Sequence, residues 1–250
     1  MAALSFHARS NSFPAESHPL VSEIDEQVCR LRQSSISHKL NGLQDLYGIV
    51  DKLLQLSTTQ QALANDQKCF NEVLEGSLRL LDLCNTAKDA LSQMKESVAE
   101  LQSAIRRRQG GLEGETRRYL KSRCMVKKAI QKALKANNIE TVAMLKEAES
   151  AVVEVLECLL LFISQTSSKS SSWSLVSKLM TNQKPVCQEN DNENEFAEVD
   201  ASLKTNKSGE EVQVHLKNLQ PCIQDLEEGV EWLLRRVIKT RASILNIHNL

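Results

Sequence analysis

The feature that most constrains this chain is a run of apolar or small residues at alternating steps of three and four between Phe70 and Ile105. Steps of this size place all members on one side of an α-helix. The run comprises Phe70, Val73, Ser77, Leu80, Cys84, Ala87, Leu91, Met94, Val98, Leu101 and Ile105. Because the pattern lasts about five heptads, this long helix must bury one side against other helices, in its own chain or in a partner.

The composition favours an all-α fold around this helix. Of the 250 residues, 41% are hydrophobic, which is enough to form a core. Aromatic residues reach only 4%, and there are 8 Gly and 4 Pro, so the residues that favour strands and tight turns are scarce. We therefore expect an elongated helical bundle of about five to seven helices with a long heptad-patterned central helix.

Periodicity and composition divide the chain into four segments. Residues 1–20 are predicted to be a flexible tail, residues 21–180 the helical bundle, and residues 181–209 an acidic disordered linker. Residues 210–250 form a C-terminal helical segment with a second apolar seam, which we expect to pack on the bundle. The alternative is that the two seams serve an extended dimeric coiled coil.

Local signals predict where several helices begin and end. Residues 57–60, Ser-Thr-Thr-Gln, fit a capping box at a helix start, and a break is expected near Asn65. Gly110 and Gly111 predict the end of the long helix. Pro221 suits the first position of the last helix, because proline lacks an amide hydrogen that this position leaves unpaired in any case.

The residues that carry chemistry are dispersed. The chain has 7 Cys and 5 His, no CxxC, and no pair of histidines at i, i+4, so neither a disulfide framework nor a helical zinc pair is indicated. No GxGxxG, GxxxxGK, GxSxG or HExxH string occurs. We therefore expect no catalytic residues, no metal site and no cofactor, although an enzyme of unrecognised type stays an alternative.

Location is only broadly constrained. The most apolar run, residues 151–163, is interrupted by Glu154 and Glu157 and is too short to span a membrane. The first residues lack the apolar core of a secretory signal, and the scattered cysteines indicate a reducing, intracellular setting. Residues 1–15 contain Arg9 and no acid, so a plastid transit peptide is the alternative to a plain tail of a cytoplasmic protein.

Residues 106–135 form a strongly basic segment in a chain whose formal charge is only −1. Eleven cations minus Glu113 and Glu115 give this segment a net charge of +9. The candidate anionic-ligand face comprises Arg106, Arg107, Arg108, Arg117, Arg118, Lys121, Lys127 and Lys128. One interpretation is attachment to anionic lipids. The other is pairing with acids of the next helix and of the acidic linker. Only Tyr119 could stack on a base, which disfavours nucleic acid as a partner.

The tail holds a second candidate site. Arg9 lies three residues before Ser12, and Pro14 lies two residues after it. A phosphate on Ser12 would give the pattern that 14-3-3 adaptors capture with an arginine cluster. We therefore include phosphorylation-dependent adaptor docking among the interactions of this chain.

Several uncommon strings resemble one plant family. They are FHARSNSFP, TTQQAL, EGSLRLLDLCNTAKDALSQMKESVAELQSAIRRR, WSLVSKLM and DLEEGVEWLLRRVIKTRASILNIHNL. In this order they are similar to the plant BYPASS family over almost the whole chain, with Ser57 where the resembling sequences usually carry proline. The resemblance implies a plant protein, helical throughout, from a family associated with root and shoot development whose biochemical activity is not established. It supplies no catalytic residues.

Together these observations predict a non-enzymatic helical interaction protein that binds protein partners through its seams and tails. The main alternative is a peripheral membrane protein held on anionic lipids by residues 106–135. Self-association of the chain is compatible with either function.

Overall fold

The structure, a computed structural model, describes residues 19–107, 112–136, 146–164, 194–205 and 208–248. Within these ranges 96% of the residues lie in eight α-helices, which confirms the all-α prediction and slightly exceeds the expected five to seven. The helices are α1 Pro19–Arg32, α2 Ile36–Gln55, α3 Ser57–Asn65, α4 Gln67–Arg107, α5 Leu112–Ala136, α6 Lys146–Ser164, α7 Glu195–Lys204 and α8 Gly209–His248.

The long central helix is α4, and its apolar seam is buried within the chain. Leu91 and Met94, in the middle of the seam, have no exposed surface. The partner is α8, which runs antiparallel to α4. Near one end of this pair Arg241 donates to the carbonyl of Leu74, and near the other Gln102 donates to that of Leu216. The two seams therefore cover each other.

The break near Asn65 is confirmed, and Asp66 produces it. Its Oδ1 atom accepts hydrogen bonds from the amides of Lys68 and Cys69, both at 3.0 Å, and so caps the start of α4. The capping box at residues 57–60 is wrong. Helix α3 begins at Ser57 without a side-chain cap, and Gln60 donates instead to the Leu54 carbonyl in the last turn of α2.

The predicted helix start at Pro221 is also wrong, because α8 is continuous from Gly209 to His248. An internal proline leaves the carbonyl four residues earlier, here that of Lys217, without its helical donor. The buried side chain of Gln102 lies at this turn, where its Nε2 atom donates to the Leu216 carbonyl at 3.2 Å. Helix α4 therefore adds a hydrogen bond at the carbonyl next to that of Lys217, which is the one that Pro221 leaves without a helical donor.

The acidic linker predicted at residues 181–209 is wrong for its second half. Residues 195–204 form α7, and Asn194 caps this helix by accepting a hydrogen bond from the Ala197 amide. Phe196 and Val199 are fully buried. They follow helical spacing, but the surrounding acidic residues obscured the pattern in the sequence. Residues 181–193 lie outside the described ranges.

The N-terminal helices close the bundle against the C-terminal one. Helix α1 packs on α2, where Gln27 donates to the Gly42 carbonyl. Helix α2 packs on α8, where Arg236 pairs with Asp51 at 2.5 Å. Helix α6 contacts α1, α2, α4 and α5. Helix α5 packs mainly on α4, and this leaves its opposite side facing solvent.

Candidate functional site

Helix α5 separates its buried and charged residues onto opposite sides. Tyr119, Val126 and Ile130 are at most 1% exposed and face the core. Half a turn away lies a row of exposed cations at helical spacing, which we call the basic stripe. It comprises Arg117, Lys121, Lys128, Lys132 and Lys135. At 1.5 Å per residue the stripe is about 27 Å long.

The cations of the basic stripe have few partners in the described part of the chain. Arg117 pairs with Glu113 of the same helix at 3.1 Å, and both side chains are mostly exposed. Such pairs contribute under about 1 kcal/mol. Lys121, Lys128 and Lys132 have no carboxylate within 4.0 Å among the described residues. The charge of the stripe therefore faces solvent there.

Arg123 is the exception in the basic segment, because it lies on the buried side of α5. Its guanidinium donates to both carboxylate oxygens of Asp200 in α7, at 2.9 to 3.0 Å, and to the Ile163 carbonyl of α6. It also lies 5.2 Å from the ring centroid of Phe196. This arrangement, the Arg123 clasp, joins α5, α6 and α7. Internal pairing, as weighed from the sequence, is thus present at Arg123.

The acids of α6 do not neutralise the basic stripe, contrary to one of the two interpretations of the sequence. Glu154 pairs with Arg32 of α1 through two hydrogen bonds, at 2.9 and 3.0 Å. Glu149 pairs with Arg79 of α4 at 3.1 Å. Both carboxylates are therefore engaged by other helices, and pairing of the basic segment with acids of the next helix is absent at these two residues.

Glu149 is a largely buried carboxylate at the contact between α6 and α4. Its side chain is only 9% exposed and lies directly against the backbone of Gly76, where any side chain would collide with it. Burial raises the pKa of Glu149 above its ordinary value of 4.5, although Arg79 opposes that shift. The residue therefore fastens α6 to α4 at a point that only glycine permits.

A small cavity adjoins Glu149. It has a volume of about 50 Å³ and is lined by apolar side chains of α2, α4, α6 and α8 together with Thr240, whose buried hydroxyl has no hydrogen-bond partner. A cavity of about 150 Å³ is needed to hold benzene. This one has room for water rather than for a metabolite.

Two further findings concern the described residues alone. They contain no group of three or more His, Cys, Asp or Glu side chains arranged to hold a metal ion. None of their helices is long and apolar enough to cross a membrane.

The sequence matches one known protein family. Residues 39–247 match the family described as Protein BPS1. The chain belongs to the BPS1 family. The resemblance to the plant BYPASS family is thus confirmed, and this BPS1-family protein is a plant protein of a developmental family. Searches of curated proteins and of solved structures gave no match. The matched residues run from the first turn of α2 to the last turn of α8 and include the whole basic stripe.

The remaining predicted site residues of this BPS1-family protein divide into two groups. Arg106 and Arg107 are exposed at the end of α4, Arg118 is exposed beside the stripe, and Lys127 is half-buried at its other edge. These cations extend the charged surface. Arg108, the helix stop at Gly110 and Gly111, and the tail residues Arg9, Ser12 and Pro14 lie outside the described ranges.

The face predicted from the sequence omitted Lys132 and Lys135 of the stripe and one apolar residue beside it. Met125 is 54% exposed and lies between Lys121 and Lys128. The signal was present, because Met125 falls outside the three- and four-residue spacing of Tyr119, Arg123, Val126 and Ile130. An exposed apolar side chain thus sits within the basic stripe of this BPS1-family protein.

Proposed function

We propose that this BPS1-family protein is a non-enzymatic helical interaction protein of root and shoot development, and that it docks on the acidic surface of a protein partner through the basic stripe. The observation that carries the proposal is the placement of five exposed cations on the side of α5 opposite the core. A solvated charged helix face needs no partner for folding, so its charge is available for docking and for setting partner specificity.

The rigidity of α5 supports this role. Its core side is anchored by Tyr119, Val126 and Ile130, and the Arg123 clasp fixes it to α6 and α7. The backbone positions that carry the cations are therefore fixed before any partner arrives. Pre-organisation of this kind lowers the entropic cost of binding.

Charge reversal in the stripe tests the proposal. One variant carries Lys121→Glu, Lys128→Glu and Lys132→Glu. A matched control carries Lys52→Glu, Lys88→Glu and Lys217→Glu, which changes the net charge equally at exposed lysines of α2, α4 and α8. Proximity labelling in roots should recover the same neighbouring proteins with the wild type and with the control. These proteins should be lost with the stripe variant.

The outcome is decided by the comparison between the two variants. Equal loss in both would mean that overall charge, not the stripe, governs the interactions. An unchanged set of neighbours with the stripe variant would refute docking through α5. Far-ultraviolet circular dichroism should show the same helical content for all three proteins, because every substituted side chain is exposed.

Peripheral attachment to anionic lipid is a second candidate function, and Met125 favours it. An exposed apolar side chain among cations is typical of helices that lie in a membrane interface. Five cations at about 1 kcal/mol each would supply about 5 kcal/mol of attraction to an anionic leaflet.

Flotation with vesicles tests this candidate. The wild type should float with vesicles of phosphatidylcholine and phosphatidylserine, less at high salt, and not with phosphatidylcholine alone. The stripe variant should bind at least about 100-fold more weakly, since it lacks three attractive charges. Binding that is independent of vesicle charge, or equal for the stripe variant and its control, would refute lipid attachment.

A further inference from the structure

An apolar surface lies along the outer side of the junction between α4 and α8, away from the basic stripe. On this outer strip Leu78 is 47% exposed, Ile238 is 52% exposed and Leu245 is 39% exposed. Partly buried leucines continue it into the core. The outer strip comprises Leu74, Leu78 and Leu81 of α4 and Leu234, Ile238 and Leu245 of α8.

The antiparallel packing of α4 and α8 brings these residues to the same level. Arg241 donates to the Leu74 carbonyl and to the Ser77 hydroxyl, so its side of α8 borders α4. Ile238 lies one turn before Arg241, and Leu78 lies one turn after Leu74. Because the helices run in opposite directions, Leu78 and Ile238 occupy the same level, that is, the same position along the helix axes, on the two sides of the junction.

The two edges of the outer strip carry opposite charges. On α4, Glu75 and Asp82 flank Leu78 and are exposed. On α8, Arg235 and Lys239 flank Ile238 and are exposed, and within the chain they lie 2.9 Å from Glu231 and 3.9 Å from Asp51. Asp82 follows Leu78 by four residues and Arg235 precedes Ile238 by three, so these two charges also share a level. Glu75 precedes Leu78 by three residues and Lys239 follows Ile238 by one, so these two charges lie on the other side of Leu78 and Ile238 and differ by about 3 Å in level.

We propose that a second copy of this chain docks on the outer strip and forms a two-fold symmetric dimer. A two-fold axis parallel to the helices, midway between α4 and α8, lays α4 of one copy on α8 of the other without changing any level. Leu78 then meets Ile238 of the second copy. Asp82 meets Arg235, and Glu75 meets Lys239. Self-complementary placement of this kind is what an isologous interface requires.

The charge pattern favours a second copy over an unrelated helix. An amphipathic helix from another protein would need only an apolar stripe to fill the strip. Both charge pairs come within about 3 Å of one level, and this is a property of the strip with itself. Symmetry repeats each pair, so four ion pairs would border the apolar contact.

The apolar half of the interface is tested with Ile238→Glu in the full chain. Sedimentation equilibrium of the wild type should show an apparent molecular mass that rises with concentration from 28.0 kDa toward twice that mass. Ile238→Glu should abolish the rise. The matched control Val214→Glu, at a side chain that is 57% exposed on another side of α8, should leave it unchanged. A wild type that stays at 28.0 kDa up to about 1 mM would overturn the proposal.

The symmetry is tested by charge exchange. Asp82→Arg places like charges together on both sides of the two-fold axis and should weaken association at least about tenfold. The double variant Asp82→Arg with Arg235→Asp restores opposite charges and should recover the wild-type dissociation constant. A double variant as weak as Asp82→Arg would refute this alignment, as would an Asp82→Arg variant that associates normally. Circular dichroism of each variant should show the wild-type helical content, since both positions are exposed.

Discussion

Replacing Gly76 by alanine is expected to destabilise this protein, although alanine favours helices more than glycine does. A Cβ atom at position 76 would lie 2.0 Å from Oε1 of Glu149 and 2.4 Å from its Cδ. Real Cβ atoms do not approach other heavy atoms within 3.0 Å, so the carboxylate must move. The movement separates Glu149 from Arg79, whose Nη2 atom now lies 3.1 Å from Oε1.

The magnitude follows from two opposing effects. Removing one partner of a buried ion pair costs about 3–5 kcal/mol. The side chain of Arg79 keeps 17% exposure, so water recovers part of its solvation and the lower value of about 3 kcal/mol applies. Alanine returns about 1 kcal/mol of helix stability. Gly76→Ala should therefore lower the free energy of unfolding by about 2 kcal/mol.

Urea unfolding followed by circular dichroism, with and without Glu149, checks this account. In a Glu149→Ala background the obstructing carboxylate is absent, so Gly76→Ala should stabilise by up to about 1 kcal/mol. Gly48→Ala in α2 is the matched control, because no atom lies within 4 Å of the added Cβ, and it should stabilise in both backgrounds. An effect of Gly76→Ala that is the same with and without Glu149 would refute the reasoning.

Three further predictions concern buried groups. Asp200→Asn leaves the charge of Arg123 buried without its counterion and should lower the urea-derived stability by about 3 kcal/mol, whereas a loss under about 1 kcal/mol would contradict the clasp. Because the pKa of Glu149 is raised in the folded state, protonation of Glu149 stabilises the fold. This stabilisation is fully present below pH 4.5 and is lost as the pH rises through the raised pKa. The urea midpoint should therefore depend less on pH in Glu149→Gln than in the wild type. Burial raises the pKa of the Cys84 thiol to about 12, so iodoacetamide should modify exposed Cys124 in the native protein and Cys84 only after unfolding, as mass spectrometry would show.

The helical bundle and its central helix could be predicted because burial follows the apolar spacing directly. The seam from Phe70 to Ile105 is apolar at nearly every inward position, and α4 contains the whole of it. Helix α7 could not be recognised, since two of its inward residues, Phe196 and Val199, stand among carboxylates that also suit a linker.

The candidate site was predictable in part, because charge alone does not state which way a side chain points. Lys121 and Lys128 were assigned to a charged face and are solvent-exposed. Arg123 has the same charge but shares the helical spacing of Tyr119 and Ile130, and it is 4% exposed. Its counterion, Asp200, lies 77 residues away. Only the tertiary fold reveals such a pair.

The pairing of α4 with α8 has a consequence for how the chain is made. Ser77 and its hydrogen-bond partner Arg241 are separated by 164 residues. At ribosomal rates of about 5–20 residues per second, the apolar face of α4 waits roughly ten to thirty seconds for its cover. During that interval a nascent chain exposes a hydrophobic stripe several turns long. The pairing of α4 with α8 can therefore form only late in synthesis, after the C-terminal helix has left the ribosome.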